Sequence, residues 1–256
     1  MGHYQTPEAA YWAFLETFNA RDAAGWAGVN SWPHARVSAA SDNVVHWRPP
    51  SRVFANAEEY LSAPLWEELE ATGWVRSESL QPRVVQSSAN TAHIAGGWTR
   101  YRADGAAIAS NRIVYVATRT TAGWGLQAQF KLDSFTEGAD FSAEHQAALA
   151  AIDRTMDALA AANVDAWTAT FHYPLIILFG PGEVQVIEDT AAMREGHGAW
   201  CAEGLPISHE SQIVQVGANG ASVAQTLTRG DFSFEQLFLV AQRDGAWRPI
   251  AISAIV

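Results

Sequence analysis

Apolar positions along this chain follow two kinds of spacing, and the order in which they alternate occurs twice. After Thr6-Pro7-Glu8, the residues Tyr11, Phe14, Leu15 and Phe18 recur at helical spacing. They predict a helix with one apolar stripe, Thr6 as its N-cap and Pro7 in its first turn. Asp22 predicts a cap for a short second helix carrying Trp26, which ends before Pro33. From Pro33 the pattern reads as strand: His34-Ala-Arg36-Val-Ser, then Val44-Val-His46-Trp47-Arg48, with the turn-like Ser41-Asp-Asn between them. Asn56, followed by Glu59, predicts a third capped helix bearing Tyr60, Leu61, Leu65 and Leu69, which Pro64 should break or kink. Strand-like stretches then run from Arg83 to Gln86, His93 to Tyr101, Asn111 to Thr118 and Trp124 to Leu132, separated by turn formers.

The second half replays this order. Ser142 predicts the cap of a helix striped with Leu149, Ile152, Met156 and Leu159, and Asn163 the cap of a short helix carrying Trp167. Strands follow at Leu175 to Phe179 and Glu183 to Ile187, then a helix capped by Asp189 with Met193, His197, Trp200 and Cys201 on one stripe. Four last strands are expected at Gln212 to Val216, Ser222 to Arg229, Phe232 to Ala241 and Trp247 to Val256. Trp26 and Trp167 stand 141 residues apart, as do Pro33 and Pro174. Val84-Val-Gln86 matches Ile213-Val-Gln215, and Thr99-Arg100 matches Thr228-Arg229, at an offset of 129; Gly123-Trp124 matches Ala246-Trp247 at 123. Offsets that shrink stepwise point to a duplicated domain whose loops have shortened between retained elements. The division expected is residues 1–132, a polar linker at 133–143, and 144–256.

Helices interleaved with a hairpin and followed by antiparallel strands form an α+β pattern, here two tandem cone-shaped domains, each a curved sheet wrapped around three helices. Strands such as Arg112 to Thr118 and Phe232 to Ala241 carry apolar residues on both faces, so the two sheets should pack on each other around a pseudo-twofold axis, forming an intrachain pseudo-dimer.

Composition narrows the partners. A net charge of −11 over 256 residues excludes the basic footprint that nucleic acids and anionic membranes need. One cysteine, Cys201, allows no intrachain disulfide or cysteine-based zinc site. No signal peptide or membrane-length apolar run is evident, which makes a cytoplasmic protein the expectation. The histidines lack HxxxH or HExxH spacing, and neither a nucleophile elbow nor a phosphate-cradling glycine loop is present.

The capped Trp26 and Trp167 helices, the following Trp32-Pro33 and Tyr173-Pro174, and the closing Gly123-Trp124 and Ala246-Trp247 together resemble the nuclear transport factor 2-like (NTF2-like, or SnoaL-like) superfamily over nearly the whole chain. The resemblance implies a deep apolar pocket in each cone, a small apolar ligand, dimerisation through the convex sheet face and no obligatory cofactor. Its enzymes include ketosteroid isomerases, polyketide cyclases, scytalone-type dehydratases and epoxide hydrolases, while other members only bind ligands or scaffold partners. The isomerase base, counted about six residues past the proline-equivalent position, falls on Ala39 and Gly180, neither of which accepts a proton.

Candidate chemistry lies in two places. His34 and Arg36 share one strand face, as do His46 and Arg48, a local concentration of cations suited to a carboxylate or enolate. Against this, Ala35, Val37, Val45 and Trp47 take the opposite face and read as cone lining. Tyr60, His93, Tyr101 and Trp200 complete the candidate binding set, although His93 also reads as a structural histidine on a half-buried strand. In the second half, Asp153 at the edge of its stripe and His197 within the next helix form a candidate acid–base pair for a lyase, isomerase or cyclase. The competing reading is a binding or assembly module with one or both cones filled by side chains, and a mixed form has one active half beside an inactive one. Arg100 and Arg229, at matched positions, suggest a shared structural ion pair, and Arg112 and Glu235, matched at 123, an ion pair between the halves.

Overall fold

The computed structural model describes residues 4–39, 51–62, 65–135 and 137–255. The first half opens with α1 (Pro7–Asn19) and α2 (Ala23–Gly28), followed by β1 (Asn30–Ser38) and β2 (Ser51–Phe54). The expected third helix is two short pieces, α3 (Ala57–Tyr60) and α4 (Leu65–Glu70), and Pro64, where a break was expected, lies outside the described residues. β3 (Trp74–Ser79), β4 (Arg83–Ser87), β5 (Thr91–Arg102), β6 (Ala107–Thr120) and β7 (Gly123–Ser134) complete it. The second half contains α5 (Ser142–Ala160), α6 (Val164–Thr168), β8 (Leu175–Gly180), β9 (Glu183–Ile187), α7 (Thr190–Ala202) and β10 to β13 (Ile207–Val216, Gly220–Arg229, Phe232–Arg243, Ala246–Ala254).

Helix starts follow the capping chemistry of the sequence. Thr6, Asp22, Asn56, Asn163 and Asp189 each accept the expected backbone N–H, at 2.8–3.1 Å. Ser142 departs from expectation: it is the first residue of α5 rather than its cap, and its N–H donates to the Asp140 carboxylate at 2.9 Å. The strand pattern missed β3, whose exposed positions alternate too weakly to be read. β3 and β4 share one edge of β5, where the second half uses the single strand β10.

Among the described residues, one sheet runs β2-β1-β7-β6-β5-β3 with β4 also on β5, and the other runs β10-β11-β12-β13-β8-β9. In both, the first strand pairs parallel to the last, β1 with β7 and β8 with β13. Even the irregularities repeat. β4 bulges between Val84 and Gln86, and β10 between Ile213 and Gln215. The β6–β7 ladder shifts between Val116 and Ala117, and the β12–β13 ladder between Leu239 and Val240. Trp32–Pro33 and Tyr173–Pro174 are both cis.

Three cores result. Helices α1 and α2 pack inside the first cone with Trp26, Tyr60, Trp74 and Tyr115. Ile152, Met156, Trp167 and Phe171 fill the second. Between the sheets lies a third core: Ala35, Val37, Val114, Phe130 and Leu132 from one side, Ile176, Leu178, Leu237, Leu239 and Ile250 from the other. Ala35 and Val37, expected to line the cone, therefore face the sister sheet, because an apolar face contributes as much by meeting another apolar sheet as by meeting helices. The candidate pair Arg112 and Glu235 does not form among the described residues. Arg112 instead donates to the Val216 carbonyl at 2.6 Å and lies 4.1 Å over the Phe135 ring.

Candidate functional site

Alternation on four strands decides what enters the first cone. Ala35 and Val37 point into the inter-sheet core, so His34 and Arg36, one residue out of phase on β1, point to the helices. On β5, Ile94, Trp98 and Arg100 take the cone side while Ala95 takes the inter-sheet side. Gly96 keeps the phase without a side chain, since a Cβ there would sit 3.0 Å from the Tyr11 ring. Tyr115 of β6 and Gln129 of β7 complete the wall.

The result is an aromatic cone with two buried guanidiniums. Arg36 is 2% exposed; it bonds the Tyr60 hydroxyl and lies 5.1 Å over Trp26. Arg100 is 9% exposed and lies 3.9 Å over Trp98. Burial pulls the Arg100 pKa down to about 9, with Arg36 acting in the same direction, so it stays cationic at neutral pH. Its Nε is buried without a hydrogen-bond partner. Burial also raises the Tyr115 and Tyr60 hydroxyls, keeping both phenols neutral. The His34 Nδ1 lies 2.8 Å from the Leu126 carbonyl, which fixes the proton on that nitrogen, while Nε2 faces the Gln129 amide at 3.4 Å. Burial, reinforced by Arg36, lowers the His34 pKa to about 3.

Two adjoining cavities open beside these groups. One of about 40 Å³ is walled by Arg36, Ser77, Trp98, Arg100, Tyr115 and Gln129 among others. The other, of about 160 Å³, is walled by Leu65, Leu69, Trp98, Arg100, Ile108 and Lys131 among others. Leu65, Trp98 and Arg100 belong to both walls.

The structure brings His34, Arg36 and Tyr60 together; their ring contacts and the Arg36–Tyr60 bond tie them into one cluster. It separates the rest of the predicted set. His46, Trp47 and Arg48 lie outside the described residues. His93 is fully buried between the halves, with Nδ1 3.0 Å from Gln86 Oε1 and Nε2 2.9 Å from the Ser253 hydroxyl, and burial lowers its pKa to about 3. Tyr101 lies at the sheet margin beneath Arg76, at 4.7 Å. Trp200 supports Arg229 in the second half, 4.3 Å from its guanidinium. The Asp153–His197 pair is not formed: the Asp153 side chain is 60% exposed with His209 3.9 Å away, and His197 bonds Gln185 and stacks on Phe179. An aspartate at the edge of a helical stripe turns toward water when the stripe beside it is completed by Ile152 and Met156.

Arg100 is the functional candidate that sequence reasoning assigned elsewhere. Its match to Arg229 suggested one shared role, yet the two differ. Arg229 donates to Glu203 at 2.8 Å and to the Trp200 carbonyl. The Arg100 side chain makes no hydrogen bond among the described residues, and counting from the helix caps Asn56 and Asp189 puts Glu70 in the place of Glu203. Glu70 instead pairs with Arg21, at 2.6 Å on the surface. The signal available in sequence was Trp98, two residues before Arg100 on a strand and so on its face.

Among the described residues no cluster of three metal-ligating side chains occurs, and no helix is long and apolar enough to cross a membrane. Residues 5–129 match the family model described as NTF2-like protein (DUF6841). Among solved structures, a ketosteroid isomerase-like protein from Erwinia carotovora atroseptica is 22% identical, covers 45% of this chain and 99% of its own, with a TM-score of 0.36. A protein of unknown function from the DUF3225 family of Pectobacterium atrosepticum is 18% identical over 44% of this chain and 91% of its own, with a TM-score of 0.38. An NTF-2 like protein of unknown function from Shewanella oneidensis is 13% identical over 42% and 95%, with a TM-score of 0.35. Comparison with curated proteins gives no match.

Proposed function

We propose, from the match of residues 5–129 to an NTF2-like family model, that the first cone binds a small molecule through an anionic group, with Arg100 as the principal contact. One observation carries this reading: Arg100 is a buried cation without a carboxylate, where its counterpart Arg229 has Glu203. A buried guanidinium favours a bidentate anion strongly, because the pair forms where water competes little. The second cone, in this reading, is a filled partner domain of an intrachain pseudo-dimer divided at 133–143. The binding reading is favoured over acid–base catalysis. His34 is held neutral with both ring nitrogens facing polar groups, and the residues lining the smaller cavity include no carboxylate.

Titration calorimetry of the full chain with formate, acetate and propionate tests the reading. Saturable binding to the natural protein that disappears in Arg100→Met, with unchanged circular dichroism, is expected. Equal binding by Arg100→Met, or none by either protein, overturns it.

A further inference from the structure

Building on the anion-binding reading of the first cone, we infer that its ligand class is an aromatic monocarboxylate the size of a single substituted benzene ring. The two cavities differ fourfold in size, and Arg100 lines both. The smaller, about 40 Å³, sets Arg36, Ser77 and Gln129 among aromatic side chains. It accommodates a carboxylate and little more, since a single water needs ~10–15 Å³ of such space. The larger, about 160 Å³, includes Leu65, Leu69, Trp98 and Ile108 in its lining, and ~150 Å³ is the cavity volume known to admit one benzene ring. Trp98 and Arg100 line both spaces, with the guanidinium 3.9 Å from the indole ring. A ring in the larger space therefore directs a carboxyl carbon bonded to it toward Arg100, and the edge of the ring meets Trp98 as aromatic pairs do.

Polar groups of the larger cavity select further. Glu68, Lys131, Asn111 and Ser134 also line it. Amide and hydroxyl groups suit a ring hydroxyl, whereas a second carboxylate would be desolvated where the Lys131 ammonium is offset by the Glu68 carboxylate and no net positive charge awaits it. Monocarboxylates with a neutral or hydroxyl-bearing ring fit both ends; terminal dicarboxylates and aliphatic chains of fewer carbons fit only one.

Calorimetric titration of the natural full-length protein with benzoate, 4-hydroxybenzoate, acetate, terephthalate and benzamide separates the possibilities without relying on a variant. Benzoate and 4-hydroxybenzoate are expected to bind at least tenfold more tightly than acetate, terephthalate at least tenfold more weakly than benzoate, and the uncharged benzamide not measurably. Acetate binding as tightly as benzoate overturns the aromatic class while leaving the anion site at Arg100 standing. Benzamide binding as tightly as benzoate overturns both. A Trp98→Leu protein that keeps acetate affinity but loses the benzoate preference supports the class, and one that keeps the preference overturns the assignment of Trp98.

Discussion

The two cones of this protein share strand order, bulge positions and cis prolines, but their interiors have opposite character. Where the first cone has Tyr11, Arg36, Trp98, Tyr115 and Gln129, the matched positions of the second are Ile152, Ile177, Leu227, Phe238 and Ile252. At these five positions the second interior is what a duplicated domain becomes when its contents serve only packing: apolar side chains without polar atoms to satisfy. The first keeps buried guanidiniums and phenols, each of which costs free energy to desolvate. Residues that burden stability in one copy and are replaced by apolar ones in the other are candidates for function. The contrast points to the first half rather than to the candidate pair Asp153 and His197 of the second.

The strongest way to break the comparison is to exchange interiors. Ile177→Arg, which moves the Arg36 side chain into the aliphatic cone, is expected to destabilise the protein by ~3–5 kcal/mol, since no buried partner awaits the charge; chemical denaturation measures it. A loss under ~1 kcal/mol would mean that the second cone admits water and is not the filled half.

The seam between the halves offers a second contrast, His93 against its matched Ser222. His93 stays neutral when folded, with a pKa near 3, but titrates near 6.5 when unfolded. Below pH 6.5 the unfolded chain binds the extra proton, so this contribution is complete above 6.5 and is lost as the pH falls toward 3. The slope is about 1.4 kcal/mol per pH unit. Comparing urea stability at pH 7 and pH 5, His93→Gln should lose less on acidification than the natural protein; equal losses would show that His93 charges without penalty.

The arginine pair sharpens the comparison at smaller scale. Glu203→Ala deprives Arg229 of its carboxylate and is expected to cost ~1–2 kcal/mol, discounted because the Glu203 side chain is 54% exposed. Glu70→Ala, at the corresponding place in the first half, breaks only a surface pair with Arg21 and should cost under ~1 kcal/mol. Thermal unfolding of both variants checks the order, and the reverse order would refute the assignment of Glu203 as the internal counter-ion. Smallest of all, Asp153→Asn should leave carboxylate affinity unchanged, because that side chain faces solvent.

Local chemistry in the chain determined most of the architecture. Capping side chains at Thr6, Asp22, Asn56, Asn163 and Asp189 act on backbone groups three residues away, so their effect needs no tertiary partner. The repeat was equally legible, because equal spacing of Trp26 and Pro33, and of Trp167 and Pro174, is a property of sequence. What only the tertiary structure decided is which of two apolar faces meets which neighbour. On β1, alternation separates His34 and Arg36 from Ala35 and Val37, but both sets are buried, one by helices and one by the sister sheet. Periodicity reports that the faces differ and not what covers each. The same holds for Arg100 and Arg229: their match is visible in the chain, yet whether a carboxylate reaches the guanidinium depends on where a helix from elsewhere in the sequence ends. Charge partners are set by distance in space, and Glu203 reaches Arg229 across 26 residues while Glu70 turns to Arg21.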